Sequence, residues 1–417
     1  MKSYNEILEI LEKYNQTHLL DFYNELSLEE QEKLLKDIEN TDFEEISTIV
    51  KNNKSMDMVD KNNESLNSDI VPIEALDKYS ISNEEWNKYK EMGEDLIKKG
   101  GVAVCTMAGG QGSRLGHEGP KGTFMVPLKE PKSIFQIAAE HIINAANKYN
   151  TPINWYIMTS EENDKVTKEF FEENNFWGYN KEYVKFFKQG QLPLTDFDGK
   201  ILLQEKGKIY KAANGNGGIF KALEDNGIVE ELKNKNIKYL VSCNVDNILI
   251  KPIDEIMLGV LNERSPEICI KSVIKRAPNE PVGVCCLKDG KPTVIEYIDF
   301  PKELAETRND DGSLKFGEVH FGCNYLSTKL LEKISNEKLP YHGAKKKNKY
   351  INKAGMQVCP DTPNSFKYEM FIFDGFEKAD SALVFRVKRE EEFAPIKNKE
   401  GEDSPITAAK MYEGDAP

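Results

Sequence analysis

The stretch MAGGQGSRLGHEGPKGT, Met107 to Thr123, concentrates residue types that hold anions. Six of its seventeen residues are glycine, and Arg114, His117 and Lys121 are cationic or can become so. Glycine tolerates positive φ and lets backbone N–H groups come close to oxygen anions. Amides arranged this way, with fixed cations beside them, suit a phosphate ligand. The spacing excludes two common phosphate loops. A P-loop needs G-x-x-x-x-G-K-[ST], which is absent, and a dinucleotide fingerprint needs G-x-G-x-x-G. Here Gly110, Gly112 and Gly116 give a spacing one residue longer. A second candidate is Asp246, which closes the apolar run YLVSCNVD. A carboxylate at the carboxyl end of a strand lies where open α/β sheets bind ligands, and it can hold Mg²⁺ against a phosphate.

Several elements must position these groups. The glycine-rich stretch follows the apolar run Val102–Cys105 and precedes a helical pattern from Ser133 to Asn147. Short apolar runs at Val102–Met107, Ile153–Thr159, Tyr183–Phe187, Tyr239–Val245 and Ile268–Val273 alternate with amphipathic stretches such as Gly218–Leu223. That alternation predicts an α/β domain with a mixed, mostly parallel sheet flanked by helices. The N-terminal region reads as helical, with Tyr4, Ile7, Leu8, Leu11 and Tyr14 at helical spacing. Ser27 with Glu30 and Ser82 with Glu85 are capping-box patterns, and Gly100–Gly101 is a helix stop. Residues 51–70 are polar, Asn-rich and aperiodic, and predict a linker. The resulting division is 1–97 helical region, 98–378 catalytic domain and 379–417 C-terminal segment.

The 417 residues suffice for two or three domains. A net charge of −14 argues against nucleic acid as a partner but leaves room for a locally basic pocket. Seven scattered cysteines without a C-x-x-C pair, no apolar leader and no run long enough for a membrane span predict a reduced, cytoplasmic protein with no membrane partner. Oligomeric state is left open.

The string AGGQGSRLG…PKG resembles the signature of the sugar-nucleotide pyrophosphorylases, specifically the eukaryotic-type UDP-N-acetylglucosamine pyrophosphorylases. The resemblance continues in order through FFKQGQLP, NGNGGIFKAL, CNVDNILIKP, PVGV, IEYID, FGCNYLS, LPYHGAKKK, FKYEMFIFD and REEEFAPIKN, and covers nearly the whole chain. Ser113 replaces a usual threonine, Met107 a usual leucine, and Asn214 a usual aspartate. Longer family members carry a further domain beyond the lysine block, whereas this sequence ends soon after it, at Pro417.

The resemblance implies a nucleotidyltransferase fold of the GT-A, Rossmann-like type and a reaction joining UTP to N-acetylglucosamine 1-phosphate with release of pyrophosphate, aided by Mg²⁺. It assigns catalysis to Arg114, Lys121 and Lys397. UTP is expected at Met107, Ala108, Gly109, Gly110, Lys121, Gln189, Gly215, Asp246 and Lys367. The sugar phosphate is expected at Asn216, Gly283, Glu296, Tyr297, Asn324, Phe371, Phe373 and Lys397, and the metal at Asp246 with Asp374 as a second ligand. Phe371 and Phe373 are read as alternating on one face of a strand, and Asp374 as ending it. Lys345–Lys347 read as a solvated face, the cysteines as structural, and the histidines as lacking triad or metal spacing. The alternatives are transfer to glucose or galactose 1-phosphate and, more remotely, a non-catalytic nucleotide-sugar sensor. A dehydrogenase is excluded by the glycine spacing.

Overall fold

The structure is a computed structural model that describes residues 2–59, 69–335 and 337–414. The chain forms two compact units. The larger comprises Ser68–Gln189, Ile219–Lys338 and Ile372–Pro417, the smaller Met1–Asn67, Gly190–Gly218 and Leu339–Phe371.

The larger unit is built on an eleven-stranded sheet. Its strands in chain order are β1 (Ile70–Pro72), β2 (Ala75–Asp77), β3 (Val102–Met107), β4 (Asn154–Thr159), β5 (Val184–Lys188), β6 (Tyr239–Asn244), β7 (Ile268–Ile274), β8 (Val284–Lys288), β9 (Lys291–Ile295), β10 (Glu318–Ser327) and β11 (Ala382–Arg386). The main path runs β2-β11-β7-β10-β6-β3-β4-β5. Only β10 runs antiparallel to its neighbours on this path, β7 and β6. The expected mixed, mostly parallel sheet is therefore present. β3 is buried along its whole length, as a parallel strand covered on both faces must be. The helix Ile134–Tyr149 starts at Ser133, whose hydroxyl accepts from the Gln136 N–H, and supplies Ile134, Phe135, Ile137 and Ile142 to the core.

The helix Asn83–Lys98 opens with the Ser82/Glu85 capping box. It closes with Gly100 at φ +70°, the Gly101 N–H bonded to Leu96 O and the Gly100 N–H to Ile97 O, which is a Schellman ending. It packs on the helix Glu255–Arg264. Gly93 and Gly259 lie at the crossing, where a Cβ on either would run into backbone of the opposite helix.

The smaller unit has the helices Tyr4–Lys13, Leu28–Glu39 and Phe43–Val59. Ile7, Leu11, Leu34, Leu35, Ile38 and Phe43 pack with Ile201 and with Leu203 and Ile209 from a hairpin. The expected capping box at Ser27/Glu30 is formed. A second hairpin pairs His342–Lys346 with Ser365–Glu369, and Lys345–Lys347 are exposed as expected.

Two expectations are corrected. The helix Phe43–Val59 occupies the first nine residues of the stretch read as a linker, and residues 60–68 lie outside the described residues. Buried Ile46 and Ile49 give this helix an apolar face, and polar residues lower helix propensity by too little to end it. The two units also cut across the 1–97, 98–378 and 379–417 division. Asn83–Lys98 belongs with the larger core through its helix partner, and 379–417 contributes β11. No helix among the described residues is long and apolar enough to cross a membrane.

The helix crossing gives the first prediction. Gly93→Ala and Gly259→Ala should each cost about 1–3 kcal/mol or more, because the clash is with backbone and no side chain can turn aside. Urea denaturation should show a lower midpoint in both; unchanged midpoints would mean the helices do not cross this closely.

Candidate active site

β3 and β6 are parallel neighbours with Met107 opposite Asn244. This register puts the glycine-rich loop and the Asp246 loop side by side at the carboxyl ends of adjacent strands. The glycine-rich loop closes on itself: the Gly112 N–H donates to Gly119 O and the Lys121 N–H to Gly110 O. Buried Asn163 steadies its start by donating to Ala108 O at 2.9 Å. His117 braces its middle through a 2.8 Å bond to the Thr123 hydroxyl and an edge-on contact with Phe124. The N–H groups of Gly109 and Gly110 have no acceptor among the described residues. Gln189, just beyond β5, lies against Gly109, where an added Cβ would stand 2.7 Å from the Gln189 amide nitrogen.

Lys121 sits in a short helical turn after Pro120, and its Nζ donates to Asp246 Oδ2 at 2.9 Å. Both side chains are largely buried. Arg114 is exposed and has no acidic partner among the described residues. The Asp246 loop is tied down from the C-terminal segment. The Ile396 N–H donates to Asp246 O at 2.8 Å. Buried Asn247 accepts from the Ala394 N–H and donates to Glu392 O. Glu392 is itself anchored by Lys271, a fully buried residue of β7, whose Nζ lies 2.6 Å from its carboxylate. Lys397 follows this clamp, with Nζ 3.4 Å from Asp403.

A second group of expected residues also comes together. An added Cβ on Gly283 would stand 3.7 Å from Glu296 Oε1, and Gly283 O accepts from the His320 N–H. His320 Nε2 is 2.9 Å from Oδ1 of fully buried Asn324, and its ring meets Phe373 edge-on. Burial pushes the Glu296 carboxyl up, opposed by the charge of Lys397, so these two sense each other. Tyr297 is half exposed beside them. The sequence profile of the family described as UTP–glucose-1-phosphate uridylyltransferase matches residues 41–412.

The chain belongs to this uridylyltransferase family.

Relatives agree over the full course of the match. The chain is 35% identical to the UDP-N-acetylglucosamine pyrophosphorylase of Saccharomyces cerevisiae, over 95% of this chain and 87% of that one. It is 35% identical to the UDP-N-acetylhexosamine pyrophosphorylase-like protein 1 of Xenopus tropicalis, over 96% and 81%. Among solved structures, it resembles the UDP-N-acetylglucosamine pyrophosphorylase from Trypanosoma brucei in complex with inhibitor, with a TM-score of 0.83, 27% identity, and 99% and 84% of the chains covered.

The smaller unit holds the remaining expected residues of this uridylyltransferase. Gly215, at φ +87°, lies so close to Met370 that an added Cβ would meet its N at 2.8 Å. Asn216 begins the following helical turn. Asn214 is buried, and its Oδ1 has no hydrogen-bond partner among the described residues. Lys367 is paired with Glu369 at 2.7 Å, so its charge is already balanced. Phe371 stacks on His342.

The reading of Phe371, Phe373 and Asp374 as strand residues is corrected. The strand ends at Glu369, and Phe373 and Asp374 belong to the helical turn Ile372–Phe376. Met370 is diverted from strand pairing: its N–H donates to Asn214 O and its carbonyl accepts from Gly217 N–H. Asp374 therefore does not stand at the carboxyl end of a strand, where a metal ligand was expected.

Sequence reasoning missed Asn163, Asn247 and His320. Asn247 adjoins Asp246 in the motif, but its partners lie about 145 residues on, which no spacing rule reveals. His320 four residues before Asn324 on one strand was the signal for a same-face pair.

His320 generates a pH prediction. Enclosure among the sheet and Phe373 lowers its pKa to about 4 from the ordinary 6.5, with the Asn324 bond opposing. The folded imidazole is neutral where the unfolded one gains a proton, so stability is lost as pH falls from about 6.5 toward 4. The loss should be on the order of 1–3 kcal/mol. Urea unfolding of the parent and His320→Gln at pH 7 and pH 5 checks it: the parent should lose more. Equal losses would put His320 in an open, solvated position.

Proposed function

We propose that this uridylyltransferase joins UTP to N-acetylglucosamine 1-phosphate, giving UDP-N-acetylglucosamine and pyrophosphate. The observation that carries the reading is the buried Lys121–Asp246 pair beside the unpartnered amides of Gly109 and Gly110. The names of the relatives favour the acetylated sugar.

A phosphate oxygen of the sugar phosphate attacks the α-phosphorus of UTP, the bond to the β,γ-pyrophosphate breaks, and pyrophosphate leaves with the electron pair. The nucleophile is already an anion, so no general base is required. The work is to hold two polyanions together and stabilise charge on the leaving group. The Gly109 and Gly110 amides and Gln189 hold the nucleotide, with Gly215 and Lys367 as further nucleotide residues. Lys121 and Arg114 balance its phosphates. One cation about 4 Å from a phosphate charge is worth on the order of 4 kcal/mol at an effective dielectric near 20. Lys397 steadies the sugar phosphate. Glu296 and Asn324 face the sugar's hydroxyl and amide groups, His320 orients Asn324, and Phe373 walls the acetyl methyl. Asn216, Tyr297 and Phe371 are further residues of the sugar reading.

Among the described residues no cluster of three or more His, Cys, Asp or Glu could hold a metal alone. Asp246 as a single carboxylate fits Mg²⁺ nonetheless, because this ion is usually held by one or two carboxylates plus substrate phosphates. Bound there, it would neutralise phosphate charge. Asp374 is a weaker candidate on its helical turn.

The test measures pyrophosphate release from UTP with N-acetylglucosamine, glucose and galactose 1-phosphates. N-acetylglucosamine 1-phosphate should have a kcat/KM roughly 10- to 1,000-fold above glucose 1-phosphate, because a pocket built for an acetamido group leaves polar partners unpaired when it is absent. Equal or greater efficiency with glucose 1-phosphate would move the protein to the alternative sugar. No release with any sugar would favour a sensor.

A further inference from the structure

Immediately past its clamp the C-terminal segment carries Lys397 and Lys399, and they diverge. Lys397 belongs to the sugar side: its charge is felt by the Glu296 carboxyl, and it is also paired with Asp403. Lys399, two residues on, lies against the glycine-rich loop. Its Cε and Nζ stand 3.9 Å from where a Cβ on Gly116 would be. Gly116, at φ +72°, ends the turn Ser113–Leu115 that carries Arg114.

Lys399 is exposed and has no acidic partner among the described residues, although Glu400, Glu402 and Asp403 follow it and Glu118 lies two residues beyond Gly116. Arg114 is likewise unpaired. In a chain of net charge −14, most cations near a carboxylate are paired, as Lys121 and Lys397 are. Two cations brought to Gly116 from two segments, neither ion-paired among the described residues, leave a local positive surface. The ligand chemistry that fits is a small polyanion.

The backbone fixes this approach independently of the side chain's freedom. The Ile396 N–H bond to Asp246 O and the Lys397 N–H bond to Asp403 O hold the segment on both sides of its turn. Asn247 pins Ala394 from below. Lys399 therefore starts from a backbone registered to the Asp246 loop.

We propose that Lys399 is a further phosphate-binding residue of the reaction, contacting the pyrophosphate part of UTP and the pyrophosphate product, with Arg114, across Gly116. This rests on the uridylyltransferase reading. In the forward direction its charge offsets the charge that develops on the leaving group. In the reverse direction it helps to recruit free pyrophosphate. Lys397 and Lys399 thus divide the two polyanions between them, one for the sugar phosphate and one for the leaving group.

The test compares the full chain with Lys399→Gln and Lys399→Arg in the reverse reaction, from UDP-N-acetylglucosamine and pyrophosphate to UTP. Lys399→Gln should raise the KM for pyrophosphate about 3- to 10-fold, the size expected of one solvent-accessible charge. The KM for the UDP-sugar should stay within about twofold. Lys399→Arg should restore the parent value, and the difference between parent and Gln variant should shrink at high ionic strength. An unchanged pyrophosphate KM in Lys399→Gln, or an equal rise in both KM values, overturns the assignment. Calorimetric titration of the three proteins with pyrophosphate gives a readout independent of turnover. If the parent makes no UTP, the uridylyltransferase reading fails by itself, and a pyrophosphate affinity lower in Lys399→Gln than in Lys399→Arg still supports the anion site. Equal affinities in all three proteins reject it.

Discussion

Lys121 and Asp246 meet at 2.9 Å, and the placements around them in the larger unit serve that meeting. The two residues are far apart in the chain. They come together because β3 and β6 are parallel neighbours in a register that ends both strands at the same level. A lysine and an aspartate held largely out of water stabilise one another, yet each keeps the capacity to serve a ligand. The lysine can turn to a phosphate and the carboxylate to a cation. A pair of this kind holds the site's charges ready without leaving either one buried and uncompensated, which would be costly.

The second constraint is closure of the chain. The segment from Glu392 to Lys397 returns to the Asp246 loop through Asn247 and the Ile396 N–H. Its root is the buried Lys271, which bonds Glu392 and Lys251 O and lies 3.6 Å from Asp254. Burial penalises all three charges. For Asp254 the attraction of Lys271 and Lys78 outweighs that penalty and brings its carboxyl down to about 2. The network fixes a segment that has little regular structure of its own, and so fixes the lysines it carries. The sugar-side cluster depends on a similar device. Asn324 is fully buried on β10, and a neutral His320 donating to its Oδ1 sets which way the amide faces.

Much of this was legible in the residues. The apolar runs mark the strands because parallel strands buried on both faces must be apolar throughout. The Ser/Glu pairs at Ser27 and Ser82 mark helix starts because both hydrogen bonds of the box are local. The glycine-rich loop is legible because bare backbone with cations has few other uses. What was not legible depends on contacts between distant segments. FKYEMFIFD reads as one alternating strand, but Met370 gives both backbone groups to the Asn214–Gly217 loop, so pairing stops and a helical turn begins. The polar run after Val50 reads as a linker, yet the helix carries on through it to Val59 on the strength of the apolar face already buried. Asn247 and Asn163 look like ordinary loop residues until the carbonyls and amides they satisfy are known.

The central claim is that Lys121 and Asp246 act as one unit on the nucleotide phosphates. The most direct measurement is a double-mutant cycle on kcat/KM for uridylyl transfer, using Lys121→Gln, Asp246→Asn and the double variant. Groups that act together are strongly non-additive. Each single change should lower kcat/KM by about 10²- to 10³-fold, as loss of a preorganised electrostatic contact does. The double variant should be little worse than the worse single one. A double variant whose loss is the product of the two single losses, or single variants close to the parent, would contradict the account.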